Sequence, residues 1–458
     1  MQQYKKKGHP KGLYLLFFTE MWERFSYYGM RAILIYYLTK ELIQGGLAIN
    51  SQDASLIYGI FTGFVYFTPL IGGWLADNYL GQRKSITIGG ITMMLGQFVL
   101  FAINTHMGMY LGLFLLIIGN GFFKPNISTL VGGLYKEGDD RRDSAFSIFY
   151  MGINLGALLA PLVIGFLTED FFAVKNNNGE IMTYGYKYGF LAAAIGMLLG
   201  QLLFNLLAQK YLGDIGKAPA KKPTANITTE QVSEGNKVVE RNRISVIFIL
   251  FLFSVFFWAG FEQAGSSIAL YTDKFIDRNI VLPLVGDFVV PASWFQSINP
   301  FFIVCLAPLF GMFWTSPLGK KLSTPVKMGL GMIILGIGFW FMLGAVSERG
   351  GDIEDPTIKA SMFWLVMTYF VHTIGELCLS PVGLSVVTKL APVRLASLLM
   401  GVWLLSSSVA NFIGGFIAAY VELGAGQVFT YISGFVIVCG FILLLLSKQI
   451  SKMMHGVK

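Results

Sequence analysis

Charge is scarce in this sequence. Only 13% of its 458 residues are Asp, Glu, Lys or Arg, while 54% are hydrophobic and the mean hydropathy is +0.62. That balance excludes an ordinary soluble globular domain, in which about a quarter of residues are charged. Cysteine is scarcer still. Cys305, Cys378 and Cys439 all lie in apolar runs, which excludes a disulfide framework and reads as three buried thiols with no metal role. Of the four histidines, His9, His106 and His455 fall in tails or loops and carry no signal. No HExxH, no GxSxG beside a membrane histidine and no aspartate pair is present, so an intramembrane enzyme is not expected, and neither is a cofactor or metal.

What is present is long apolar runs. Twelve of roughly membrane-spanning length fall near 13–38, 52–76, 83–104, 107–134, 142–170, 186–212, 244–272, 292–315, 326–346, 358–388, 394–421 and 425–449, the pattern of a polytopic helical membrane protein. The first run follows a basic stretch (Lys5, Lys6, Lys7, Lys11) but is too long and too polar-striped for a cleavable signal segment. With the N-terminus inside, 24 of the 34 Lys and Arg residues lie on inside segments and 7 outside; Arg24, Arg31 and Lys124 lie within the spans. Both termini are therefore expected to be cytoplasmic. The net charge of +8 is this positive-inside bias and calls for no nucleic-acid partner.

Residues 213–243 form the one long polar stretch and divide the chain into 1–212 and 244–458, each with six spans. Its Pro, Lys, Thr and Glu content reads as a cytoplasmic linker, helical in part near its end, where the Asn226-Ile227-Thr228 sequon would not be glycosylated. Six spans, a basic linker and six spans is the arrangement of the major facilitator superfamily, whose substrate sites lie near the midplane where two pseudo-symmetric halves meet.

The first span departs from the general lack of charge. Glu20, Glu23, Arg24, Tyr27 and Arg31 stand at i, i+3, i+4, i+7 and i+11, a single helical stripe. A charge at membrane depth costs about 2.5–3.5 kcal/mol on insertion scales, so such a stripe is expected to face an aqueous cavity and to serve transport of something polar. The bland alternative is that Glu20 and Arg24, at i and i+4, satisfy one another and only hold the helix together. Lys124 in span 4, Glu262 in span 7 and Glu376 in span 10 are also intramembrane. The seven ionisable groups together carry one net negative charge, so one proton neutralises them, and a zwitterion leaves the balance unchanged. A lone buried carboxylate such as Glu262 or Glu376 needs a partner from another helix or a bound proton.

Lys124 sits in Gly119-Asn120-Gly121-Phe122-Phe123-Lys124-Pro125-Asn126, where glycine and proline loosen the helix, about ten residues from its cytoplasmic end at Leu134 and so too deep to snorkel. His372, one turn before Glu376, reads first as a packing side chain and second as a proton relay. Tyr27, Tyr28, Tyr66, Trp258, Trp294 and Trp403 flank the charged positions and suit a pocket for varied side chains, although Trp294 also fits an interfacial belt. Asp77, followed by Gly81, Arg83 and Lys84 in a short inside loop, resembles the superfamily's loop 2–3 motif and reads as a conformational latch.

Glu20-Met21-Trp22-Glu23-Arg24-Phe25-Ser26-Tyr27-Tyr28-Gly29 resembles the ExxER signature of the proton-coupled oligopeptide transporter family, and Phe149-Tyr150-Met151-Gly152-Ile153-Asn154 is similar to its FYxxIN signature. Gly73-Trp74-Leu75-Ala76-Asp77 with Leu80-Gly81-Gln82-Arg83, and Phe295-Gln296-Ser297-Ile298-Asn299-Pro300, are also similar to family patterns. The resemblance implies an all-α major facilitator fold of twelve helices in two six-helix bundles. It implies that Glu20, Glu23, Arg24 and Glu262 couple protons, with Glu262 pairing Arg31 when deprotonated. Arg31 and Lys124 would take a peptide carboxylate. Glu376, helped by Asn154 and Asn299, would take the amino group, and Tyr27, Tyr66, Trp258 and Trp403 would shape side-chain pockets. Two extra helices between the halves, a span-2 histidine and a large extracellular domain are all lacking, which implies a compact bacterial member in the cytoplasmic membrane, a monomer working on di- and tripeptides and protons. Other branches of the family carry nitrate or other solutes, and that alternative stays open.

Overall fold

The structure, a computed structural model, describes residues 8–136, 139, 141–177, 179–219, 234–283, 286–392, 395–419 and 424–457. Residues 220–233 of the polar stretch, with the sequon, lie outside them, as do Lys5, Lys6, Lys7, Lys221, Lys222, Arg394 and Lys458. The apolar runs fold as α1 (Lys11–Thr39), α2 (Ser51–Leu75), α3 (Gln82–Ala102), α4 (His106–Gly133), α5 (Arg141–Phe166), α6 (Tyr186–Leu212), α7 (Glu234–Phe261), α8 (Ser267–Phe275), α9 (Ile298–Thr315), α10 (Thr324–Glu348), α11 (Met362–Leu390), α12 (Ala396–Ala419) and α13 (Ala425–Met453). Among the described residues, eleven spans are long and apolar enough to cross a membrane. The 29-residue α1 is long enough, but its charged stripe keeps it out of that set. This is a multi-pass membrane protein.

The expected seventh span is interrupted. Its helix begins at Glu234 and stops at Phe261. A 3-10 turn, Glu262–Gly265, and Ser266 at φ −130°, ψ −93° separate it from α8. A carboxylate followed by Gly265 is poor helix interior in an apolar span, and the break lets irregular backbone sit around Glu262. Spans 2 and 5 close on π-helical turns, Ala76–Leu80 and Leu167–Phe171. Cys378 and Cys439 are buried, but Cys305 is exposed, a correction to the three-buried-thiol reading: of α9 only Pro300 and Ile303 are fully buried, and Cys305 lies on the exposed side with Phe301, Val304 and Leu309.

The chain divides into two compact units. The first holds the described residues within Met1–Ile33, Leu42–Leu47 and Phe67–Pro223; the second holds those within Leu34–Glu41, Ala48–Tyr66 and Thr224–Lys458. Glycine sets the helix spacing in both, as expected where lipid removes the hydrophobic drive for helix association. In the first unit a side chain at Gly119 of α4 would meet Gly89 O at 2.6 Å and Met93 Cγ at 2.5 Å on α3. In the second, Gly59 of α2 lies against Gly415 of α12, where a Cβ would come within 2.5 Å of the opposing Cα. The same contact is tied by Ser408 Oγ donating to Gly63 O at 2.8 Å. The end of α1 joins the second unit through Tyr36 Oη donating to Ala269 O at 3.2 Å and the Lys40–Asp273 ion pair.

Overpacking such a contact costs about 1–3 kcal/mol. Gly119→Ala is therefore expected to lower the melting temperature of the purified protein by several degrees. Gly434→Ala, at a position with nothing within 4 Å of the added carbon, is expected to leave it unchanged or raise it. Thermal unfolding of the two variants side by side checks this.

Candidate functional site

In the first unit the polar stripe of α1 is buried: Glu20, Glu23, Arg24, Tyr27 and Arg31 are each no more than 8% exposed. The expected water-lined stripe is thus corrected, because what covers it is protein. Arg24 Nε lies 2.7 Å from Glu20 Oε1 and 2.7 Å from Glu23 Oε2. The hydrogen bond goes to Glu20, and Glu23 Oε1 accepts instead from Asn120 Nδ2 at 3.3 Å. Glu20 Oε2 and Glu23 Oε2 have no hydrogen-bond donor among the described residues. One N–H placed between two carboxylates satisfies one of them, and a proton on either oxygen would supply the missing donor.

Neighbouring helices hold this triad in place. Gly156 of α5, two residues beyond the FYxxIN segment, stands where a Cβ would lie 2.4 Å from Met21 O and 2.8 Å from Arg24 Cβ, so a glycine there lets α5 reach the α1 backbone. Gln97 of α3 donates to Ser26 O at 3.2 Å. Lys124, one turn beyond Asn120 on α4, is within electrostatic reach of Glu23. The Arg24 and Arg31 guanidinium carbons each lie 6.0 Å from a ring centre, over Tyr27 and Tyr28. Asn154 is buried and donates to Tyr150 O of its own helix at 2.9 Å.

In the second unit Glu376 of α11, 8% exposed, accepts from Asn299 Nδ2 at 2.9 Å. Asn299, at the start of α9, also donates to Thr373 Oγ1 at 3.0 Å, and Thr373 is tied to Tyr369 O at 2.7 Å. Glu376 has no cation partner among the described residues, and the carboxylate of Glu262 is within electrostatic reach of it. A cavity of about 110 Å³ is lined by Trp258, Trp403 and Leu379 with Ser254 and Ser406. His372 packs into the core, its ring 4.7 Å from that of Phe339 and directly against Gly338. Tyr66 belongs to this unit, in α2, and is half-buried.

Of the seven intramembrane charges named from the sequence, the five in the first unit leave one positive in excess, and the two in the second, Glu262 and Glu376, are both negative. Asp77 is exposed and makes no hydrogen bond among the described residues, whereas Arg83 Nη1 donates to Gly213 O at 2.7 Å and joins the start of α3 to the end of α6. Asn120, Thr373 and Gly156 escaped the sequence reading. Asn120 left a signal, an amide in an apolar span one turn from a lysine; Thr373 and Gly156 left none.

A family model described as the POT family matches residues 83–212 and 216–432. The chain belongs to the POT family. It is 34% identical to the peptide transporter YePEPT of Yersinia enterocolitica over 98% of this chain and 96% of that one. It is also 34% identical to a di-/tripeptide transporter of Lactococcus lactis subsp. cremoris over 98% of both. Among solved structures it resembles the peptide transporter POT in complex with sulfate, at 35% identity and a TM-score of 0.86, covering 99% of this chain and 98% of that chain. The POT fold is an all-α membrane fold of the major facilitator superfamily with twelve spanning segments, α7 and α8 together forming the seventh.

Removing a donor from a buried charge costs about 1.5–3 kcal/mol. Asn120→Leu is expected to lower the melting temperature for that reason. Glu23→Gln in the same background should recover most of the loss, because position 23 then carries no buried charge short of a donor. A double-mutant cycle of melting curves measures the coupling.

Proposed function

We infer that this protein is a proton-coupled symporter that imports di- and tripeptides across a bacterial plasma membrane by alternating access. The observation that carries this reading is Glu376, a buried carboxylate whose described partner is the neutral amide of Asn299 and which has no cation of its own. Such a group is poised for an ammonium. On the family resemblance, Arg31 and Lys124 would take a carboxylate. A short peptide has one group of each kind, and the Trp258–Trp403 cavity supplies apolar wall for a side chain. The relatives named as peptide and di-/tripeptide transporters support the same substrate class.

The proton enters through the charge balance. Seven intramembrane charges sum to one negative, and a zwitterion does not alter the sum. Glu20 and Glu23 compete for one guanidinium N–H, so protonation of that pair relieves the competition and removes the residual charge. Glu262, on broken backbone, would be a second protonation site that pairs with Arg31 when deprotonated. Inward movement of one charge is worth about 2.3 kcal/mol per 100 mV. At roughly 150 mV this supports accumulation of over a hundredfold, since about 1.4 kcal/mol is tenfold. Asp77 and Arg83 would bias the alternation from the loop after α2. The positive-inside bias supports cytoplasmic termini, and one chain that carries both groups of charge would suffice as a monomer within the bilayer.

The test is uptake of labelled dialanine into liposomes holding the purified protein, with an inside-negative potential and an inward proton gradient. Wild type should accumulate peptide, while Glu20→Gln, Lys124→Ala and Glu376→Gln should each lose gradient-driven uptake by at least about tenfold, the effect of about 1.4 kcal/mol. Absence of uptake by folded wild type, with nitrate uptake that survives Glu376→Gln, would assign the chain to an inorganic anion instead.

A further inference from the structure

A cavity of about 460 Å³ in the first unit lies away from every group assigned to transport except Arg83. Arg83 and Lys84, at the start of α3, and Lys217, in the turn after α6, supply its cations. Ile88, Phe204 and Ala208 form its apolar wall. Thr87 Oγ1 donates to Asn205 Oδ1 at 2.8 Å across the two helices and leaves the cations at the polar end. Three cations beside hydrocarbon, at the end of a membrane span, fit a ligand that is anionic at one end and apolar at the other.

The cations are available. Only Nη1 of Arg83 is engaged among the described residues, on Gly213 O at 2.7 Å and Gln209 Oε1 at 3.4 Å. Lys84 is exposed and makes no hydrogen bond or ion pair among the described residues. Lys217 pairs with Asp214 at 2.8 Å, and that pairing holds the exposed Asp214 carboxyl below its ordinary range, so it stays ionised and offsets one of the three charges. Two net positive charges remain, enough for a phosphodiester.

The apolar end continues along the helices. Ile88 opens an exposed stripe on α3 with Ile91 and Leu95 at i+3 and i+7, and α6 presents Leu199, Leu202 and Leu206 with the same kind of spacing. We propose that this cavity holds the phosphate of an anionic phospholipid, seated on Arg83, Lys84 and Lys217, with its acyl chains on the exposed stripes of α3 and α6. The lipid would brace the junction that Arg83 makes between the start of α3 and the end of α6. A soluble phosphate would use the cations and leave the apolar wall bare.

Native mass spectrometry of the full-length protein, released from neutral detergent after incubation with equal phosphatidylglycerol and phosphatidylcholine, tests this. Wild type should retain one phosphatidylglycerol in preference, and inorganic phosphate at millimolar concentration should not displace it. A lysine near an anionic headgroup is worth about fivefold in binding, so Lys84→Gln with Lys217→Gln should reduce the preference by about 25-fold. Lys84→Gln alone, at an exposed side chain that supports no described contact, should reduce it about fivefold even if the double variant unfolds. Equal retention of the two lipids by wild type, or an unchanged preference in Lys84→Gln, would overturn the proposal. Displacement by inorganic phosphate with a phosphate adduct in place of the lipid would overturn it as well, and would assign the cavity to a soluble anion.

Discussion

A single arginine N–H facing two carboxylates in a buried helix is the constraint around which the first unit is built. Arg24 Nε sits 2.7 Å from both Glu20 and Glu23, and it can satisfy only one of them fully. Desolvated charges left short of donors are expensive, and the surrounding structure is arranged to limit that cost. Asn120 donates to Glu23 from α4, Lys124 adds positive potential from the next turn, and Gly156 lets α5 seal the backbone side. The remaining shortfall is about one donor, which is what a proton supplies.

The second unit meets the same problem differently. Glu376 and Glu262 are buried acids without an arginine in their helices, and the helix around Glu262 is broken. Asn299 and Thr373 give Glu376 a neutral donor network that orients it without neutralising it. The contrast has a functional reading. On the proposed function, the acids beside Arg24 would serve protons, and Glu376, held by a neutral amide, would serve a cationic ligand. Glycine contacts such as Gly89–Gly119 and Gly59–Gly415 keep the helices close enough for these short polar bonds, at the cost of tolerance to added side chains.

Much of this was legible in the sequence, for identifiable reasons. Span positions follow from apolar runs, and the α1 stripe follows from i, i+3, i+4 spacing, both of which are local properties. The Glu20–Arg24 pairing is local too. The burial of the stripe was not legible, because a polar face reads the same whether water or other helices cover it. Asn120 acts across 97 positions of chain, and no local pattern links it to Glu23. The break at Glu262 depends on neighbouring helices tolerating irregular backbone, and the exposure of Cys305 on how little of α9 is covered. Those are tertiary facts, fixed by packing that a single sequence does not display.

The central claim is that the Glu20–Glu23–Arg24 cluster takes up one proton in the transport cycle. Infrared difference spectroscopy of the reconstituted protein between alkaline and acidic buffer reads carboxyl protonation directly. A protonated-carboxyl band should grow in wild type as the pH falls, and Glu20→Gln with Glu23→Gln should remove the corresponding part of it while Glu262→Gln leaves that part in place. A band unchanged by the double substitution would contradict the account, since the proton would then reside elsewhere.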